Sequence, residues 1–284
     1  MNTLQHFLCG SLPLAFSGCL LGAMPLAHAQ QFAMAPQIPQ AYQSVVVSIL
    51  VPCGGDGLEP ASVDIAICPQ ALIVISARSA DLVCPLNPKF VTTMGLPDGT
   101  YSVERKYPAH EFIDQVYGSL TVARAPPAQP VFTFYNESIR HYFITAGVAE
   151  KNSLLGGGGG GGWAIVDEGF NAWPAAGPAP DAAEPVCRFY SAVVNSHFYT
   201  AGPSECEMLK QPSSGWTYEG IAFRALVPTK GSCYPGTVPV WRLYNDRAAQ
   251  SDSNHRFVAS VDTYRHMIAN GWIGEGVAFC SPES

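Results

Sequence analysis

The sequence predicts a mainly β protein with short helices (α+β): a small β-sandwich, then a pseudo-threefold ββαβ repeat domain, trefoil-like in symmetry. Three observations carry this. From Tyr42 to Arg124 the chain writes short β-type runs divided by turn residues. From Val131 onward it writes one pattern three times, and a fixed-period repeat decides an architecture. Each copy leaves room for one short helix between its second and third strands.

Residues 1–29 read as a cleaved signal peptide. Leu12 to Ala27 is largely apolar, and Ala27-His28-Ala29 before Gln30 is a small-x-small cleavage signature, although Met1 to Phe7 carries no Lys or Arg. The run is too short and too interrupted by Gly and Pro to span a membrane as a helix. Phe16-Ser17-Gly18-Cys19 offers the alternative of a lipidated Cys19. Secretion or a periplasmic location follows in either case.

Residues 30–41, rich in Gln, Pro and Ala without periodicity, read as a disordered tether. In residues 42–124, Ser44–Val51, Val63–Ile67, Ala71–Ile75, Phe90–Met94, Thr100–Glu104 and Ser119–Ala123 read as strands, with Pro97-Asp98-Gly99 as a turn. Ala125-Pro-Pro-Ala-Gln-Pro130 is a stiff linker.

The repeats occupy 131–173, 186–226 and 240–282 of a domain running from 131 to 284. They open on Val131-Phe-Thr-Phe-Tyr-Asn, Val186-Cys-Arg-Phe-Tyr-Ser and Val240-Trp-Arg-Leu-Tyr-Asn. Tyr135, Tyr190 and Tyr244 are 55 and 54 residues apart. His141, His197 and His255 begin the second strands. Trp163, Trp216 and Trp272 precede Glu168-Gly169, Glu219-Gly220 and Glu275-Gly276. The helices are expected over Ala149–Leu155, after a Ser204 cap, and after an Asp262 cap with a stop at Asn270-Gly271. Gly156 to Gly162 reads as a flexible low-complexity loop. A strand and not a helix follows it, so the dinucleotide fingerprint is dismissed.

Two resemblances rest on these residues. Leu96-Pro-Asp-Gly-Thr-Tyr-Ser-Val103 is similar to the last hairpins of bacterial immunoglobulin-like modules, which implies an Ig-like sandwich for 42–124. Residues 131–282 resemble the DUF5648 repeat of exported bacterial proteins. Its unit is matched most closely by Arg188-Phe-Tyr190, His197-Phe-Tyr-Thr200 and Gly215-Trp-Thr-Tyr-Glu-Gly-Ile-Ala-Phe223. The resemblance implies an extracellular accessory role and no established activity. The first repeat departs most, with a longer Trp-to-Glu spacing.

Composition excludes whole classes. The formal charge is −7, only 13% of residues are charged, and no basic run exists; nucleic-acid binding needs clustered Lys and Arg. No second apolar run approaches membrane-spanning length. His110-Glu-Phe-Ile-Asp114 ends in the wrong residue for a zinc helix, and no G-x-S-x-G elbow occurs. Asp246, Asp252 and Asn254 form a candidate ligand loop, but without the alternating oxygen series of a calcium site. No cofactor and no metal site is expected, and Asn136-Glu-Ser138 is a glycosylation sequon by pattern only.

Seven of the nine cysteines lie beyond the leader, none in a C-x-x-C pair, so they read as disulfides in an exported chain. Cys187 lies on a strand and Cys206 on the helix of the same repeat, which favours Cys187–Cys206 and leaves Cys233–Cys280. Each would add about 3 kcal/mol. Cys53, Cys68 and Cys84 are an odd set, with Cys53–Cys84 the weakly favoured pair.

A His beside a carboxylate invites acid–base chemistry. Residues written three times are those each repeat needs to build itself, so the recurring His, Glu, Tyr, Trp and Gly are read as structural, with the tryptophans filling the core between repeats. The expected function is non-catalytic binding of cell-surface glycan or peptidoglycan by a monomer. The alternatives are a structural or protein-interaction module of the envelope and a hydrolase using a His–Glu pair.

Overall fold

The computed structural model describes residues 32–35, 39–50, 60–68, 71–78, 88–93, 95–106 and 113–283. The chain divides into two compact units, 1–124 and 125–284. It is mainly β, with three short helices among the described residues. None of those helices is long and apolar enough to cross a membrane. The leader, Cys19, Cys53, Cys84 and His110 lie outside the described residues.

In the N-terminal unit, β1 (Phe32–Ala35), β2 (Val45–Leu50) and β5 (Pro88–Thr93) form an antiparallel sheet in the order β1-β2-β5. A second sheet has the order β3-β4-β6-β7, from β3 (Pro60–Cys68), β4 (Ala71–Arg78), β6 (Gly99–Lys106) and β7 (Ile113–Val122). Only β4 and β6 run parallel among these pairs. The expected tether is corrected by β1: Phe32 to Ala35 pair with Val46 to Ile49, satisfying an edge that polar composition alone did not reveal. Leu96, Tyr101, Val103, Leu120 and Val122 are buried, and the Tyr101 hydroxyl donates to the Pro97 carbonyl at 3.0 Å.

The C-terminal unit builds one sheet three times, each time with its first strand central. β8 (Gln129–Asn136) pairs with β9 (His141–Thr145) and β10 (Trp163–Ala172). β11 (Glu184–Ser191) pairs with β12 (Ser196–Thr200) and β13 (Thr217–Ala225). β14 (Thr237–Tyr244) pairs with β15 (His255–Val258) and β16 (Ile273–Pro282). Helices α1 (Val148–Leu155), α2 (Pro203–Leu209) and α3 (Val261–Ala269) follow the second strands.

One shared core joins the repeats. Val131, Val186 and Val240 are fully buried at equivalent points of the central strands. Phe170, Phe223 and Phe279 face them from the third strands, and their rings meet pairwise at 5.8, 6.0 and 5.6 Å. Ile144, Tyr199 and Phe257 add a further layer, in which the Tyr199 hydroxyl donates to the Ile144 carbonyl at 2.7 Å. Each buried Phe contributes about 1.5–3 kcal/mol of hydrophobic stabilisation. The third strands also close on each other. Trp173 exchanges backbone hydrogen bonds with Arg224, Cys280 donates to Leu226, and Asn171 donates to Ser281 Oγ and the Pro282 carbonyl.

Several expectations are corrected. The tryptophans do not fill the core: all three are half-buried, Trp163 at its margin and Trp216 and Trp272 in smaller clusters centred on their own repeats. Trp173 is the indole inside, donating to the Pro126 carbonyl at 2.9 Å. That bond, with Gln129 already in β8, makes 125–130 part of the C-terminal unit and not a free linker. Ser204 caps no helix. Gly202 and Gly147 hold the cap positions, and their N–H groups donate to Thr200 and Thr145 hydroxyls at 2.9 Å. Ser260, not Asp262, caps α3 by accepting from the Thr263 N–H at 3.2 Å; Asp262 sits in the first turn, where a negative charge suits the helix dipole.

Disulfides join Cys187 to Cys206 and Cys233 to Cys280. The first ties β11 to α2 within the second repeat; the second fastens the segment before the third repeat to its last strand.

Candidate functional site

Strand register redefines which residues are equivalent. Tyr190 pairs with His197 and Tyr244 with His255, but Tyr135 pairs with Tyr142. His141 pairs with Asn136 one place earlier, the position Ser196 takes opposite Ser191. His141 is therefore not the counterpart of His197 and His255. The third strands carry a matching correction. Trp163, Trp216 and Trp272 each precede a core Phe by seven residues, which places Val166, not Glu168, at the position of Glu219 and Glu275. Gly220 and Gly276 have left-handed φ of +114° and +93° at the strand irregularity. Gly169 is instead constrained by the Val131 carbonyl, 2.8 Å from where a Cβ would stand. The Glu168 side chain lies outside those described.

At the first two junctions between repeats one constellation recurs. Arg188 lies with Nη1 2.9 Å and 3.0 Å from the two Glu150 oxygens and with Nε 2.9 Å from Glu219 Oε2. His197 Nε2 is 3.3 Å from the same Glu219 oxygen. In the next repeat Arg242 is 3.5 Å from Glu205 and 2.9 Å from Glu275, with His255 Nε2 3.6 Å away. The Arg242 Nε–H points off that line, so charge and not a hydrogen bond carries its contact with Glu275. Each His meets the edge of the preceding repeat's Phe: Phe143 to His197 at 4.8 Å, Phe198 to His255 at 4.9 Å. The guanidiniums of Arg188 and Arg242 lie over the same two rings at 5.6 and 4.8 Å.

Burial, reinforced by Arg188, lowers the His197 pKa to about 4; burial with Arg242 lowers that of His255 to about 3. Both imidazoles are neutral at neutral pH. A base so weak, beside a carboxylate already committed to an arginine, is poorly matched to proton abstraction at that pH. The arrangement links adjacent repeats. For Arg188, burial works against the charge, but Tyr199, Glu150 and Glu219 raise its pKa.

The third junction is built differently. Thr133 and Val166 stand where Arg188 and Glu219 stand, and Thr263 takes the place of Glu150 and Glu205. Asn254 accepts from the Tyr142 N–H and donates to the Arg140 carbonyl. His141 places Nδ1 2.7 Å from the Asn195 carbonyl and Nε2 2.7 Å from Asp252 Oδ1, touching all three repeats. Two residues of the candidate loop are engaged in this junction. Asp252 and Asn254 staple the third repeat to the first, while Asp246 is exposed in a left-handed turn.

A cleft of about 640 Å3 opens between the first and second repeats. Trp163, Tyr190, His197, Glu150, Glu219, Arg188 and Gly159 to Gly161 line it. The glycine run is not the featureless loop its composition implies. Gly159 to Gly162 hold four successive left-handed φ values, 62° to 85°, a path open in practice to glycine alone. The Asn136 amide donates to the Gly161 carbonyl at 2.7 Å and the Trp163 indole to that of Gly159 at 3.0 Å. Asn136 is itself buried, which removes the sequon from the surface.

Sequence reasoning missed Arg188, Arg242, Glu150 and Glu205. The signal existed: both arginines follow the repeat-opening Val by two, and both glutamates follow a helix-entry Gly by three.

Among comparisons with known proteins, the model of a domain of unknown function, DUF5648, matches residues 130–282, more than half of the chain. Neither a curated protein nor a solved structure matches.

Proposed function

We propose that this chain, which belongs to the DUF5648 family, is an exported, non-catalytic binding module whose first cleft holds a segment of cell-surface glycan or peptidoglycan. The supporting observation is that cleft's lining. Two half-buried aromatic residues, Trp163 and Tyr190, stand with carboxylates and a side-chain-free glycine backbone around about 640 Å3. Aromatic faces take the C–H faces of sugar rings, and polar groups around them fix orientation. The two sheets of the N-terminal unit are read as an immunoglobulin-like sandwich, and the three repeats around one core as trefoil-like.

The test is pull-down of the mature, disulfide-intact protein on insoluble peptidoglycan and polysaccharides. Retention released by soluble sugar is expected, with loss in Trp163→Ala but not in Trp216→Ala, its equivalent away from the cleft. No retention on any matrix, or equal effects of the two substitutions, overturns the reading.

A further inference from the structure

We infer that the cleft closing the third repeat onto the first is a second ligand site, built for a carboxylate-bearing sugar such as a uronic acid. It measures about 480 Å3. Tyr135, Tyr142 and Trp272 line it, at the positions that Tyr190, His197 and Trp163 occupy in the first cleft. Tyr142 lies 4.7 Å from Tyr135 and 5.9 Å from Trp272, centroid to centroid. All three are half-buried, so the aromatic wall is firm and partly open.

Its charge is the reverse of the first cleft's. There, one guanidinium is held between two carboxylates, which outweigh its charge. Here Arg140 and Arg247 line the cleft and Arg256 lies 4.5 Å from the centre of the Tyr142 ring. Asp252 is the one carboxylate in the lining, and both its oxygens are engaged, by His141 and Arg247. Arg140 is exposed, and its guanidinium has no ion pair among the described residues. In a chain of net charge −7, two arginines thus face one concave, aromatic place, Arg247 paired with Asp252 and Arg140 beside them.

The backbone at Arg140 is an independent observation. Its φ is +58°, left-handed, as is that of Asn195 at the same turn position of the second repeat (+46°). Asparagine tolerates this conformation and arginine does so less readily. The Asn254 amide holds the Arg140 carbonyl at 2.9 Å and fixes the turn. A strained residue at a cleft mouth points to a task there. A guanidinium fork matches a carboxylate in two parallel hydrogen bonds, and the adjoining rings take the pyranose face.

The probe is a short oligogalacturonate, titrated at low, constant ionic strength against a neutral galacto-oligosaccharide of the same length. The acidic oligomer is expected to bind and the neutral one not to bind at this cleft. Arg140→Asn keeps the left-handed turn; it is expected to weaken oligogalacturonate binding at least tenfold with unchanged thermal unfolding. Trp163→Ala, in the first cleft, is expected to leave this binding intact, so failure of one site is distinguishable from failure of the other. No binding of the acidic oligomer, or binding indifferent to Arg140→Asn, overturns the proposal. So does displacement by inorganic sulfate beyond that by chloride at equal ionic strength, which would reduce the site to a generic anion patch.

Discussion

The Arg256 guanidinium lies 4.5 Å from the centre of the Tyr142 ring, across the junction that closes the third repeat on the first. At the other two junctions the later repeat supplies the cation and the earlier one the ring, as in Arg188 over Phe143. Around the closed ring, where the first repeat follows the third, the partners have changed sides here: the preceding repeat gives the cation and the following one the ring. The third junction keeps a cation–ring contact although Thr133 has replaced the arginine.

That exchange makes the contact a measurable staple. Arg256→Met is expected to cost about 1 kcal/mol, and a double-mutant cycle with Tyr142→Leu to show coupling of similar size. Urea unfolding of the four proteins decides it, and additive single effects would remove the staple.

Arg188 holds two carboxylates while only a fifth exposed (19%). Arg188→Ala is expected to destabilise by about 2 kcal/mol, because two partly buried carboxylates lose their partner. Glu150→Gln is expected to cost under about 1 kcal/mol, since that side chain is 36% open to water. Equal losses in denaturant unfolding would contradict the asymmetry.

Acid should weaken the fold in a defined window. His197 and His255 have folded pKa values of about 4 and about 3, against about 6.5 when unfolded. As pH falls below about 6.5 the unfolded chain takes up protons that the folded chain refuses, so stability drops until the folded values are reached. The combined loss is on the order of a few kcal/mol. Thermal unfolding from pH 7 to 4 is expected to show a falling midpoint, less steep in His255→Asn. A flat profile would place both imidazoles in water.

The Cys187–Cys206 bridge closes a loop of 19 residues in sequence. Replacing both with alanine is expected to cost about 3 kcal/mol, with the second repeat losing hydrogen-exchange protection first. Uniform loss across the C-terminal unit would show that the bridge stabilises the whole and not the repeat.

Much of this was legible from spacing. Strand-rich runs, three copies and a helix in each follow from residues that recur at fixed intervals, because packing repeats when sequence does. Register in the first repeat was harder to read. His141-Tyr-Phe-Ile-Thr-Ala-Gly has one more residue before its Thr than His197-Phe-Tyr-Thr-Ala-Gly, so aligning the histidines slips the strand by one. In a strand such a slip turns every side chain to the opposite face. Anchoring on Thr145 and Thr200, whose hydroxyls receive the helix-entry glycine, restores it. The junction arginines were passed over because charge on a mainly apolar strand attracts less notice than a histidine. The glycine run was obscured because composition records freedom, while the bonds that remove it come from Asn136 and Trp163.

The three phenylalanines at the centre have a consequence for ancestry and folding alike. Phe170, Phe223 and Phe279 each complete their burial against the other two, so one or two copies would leave that surface wet. In an open solenoid, modules can be gained or lost from an end with graded effects. A closed ring of three has no end, so its copy number is fixed and its global unfolding in denaturant should be cooperative, even where one repeat opens locally first.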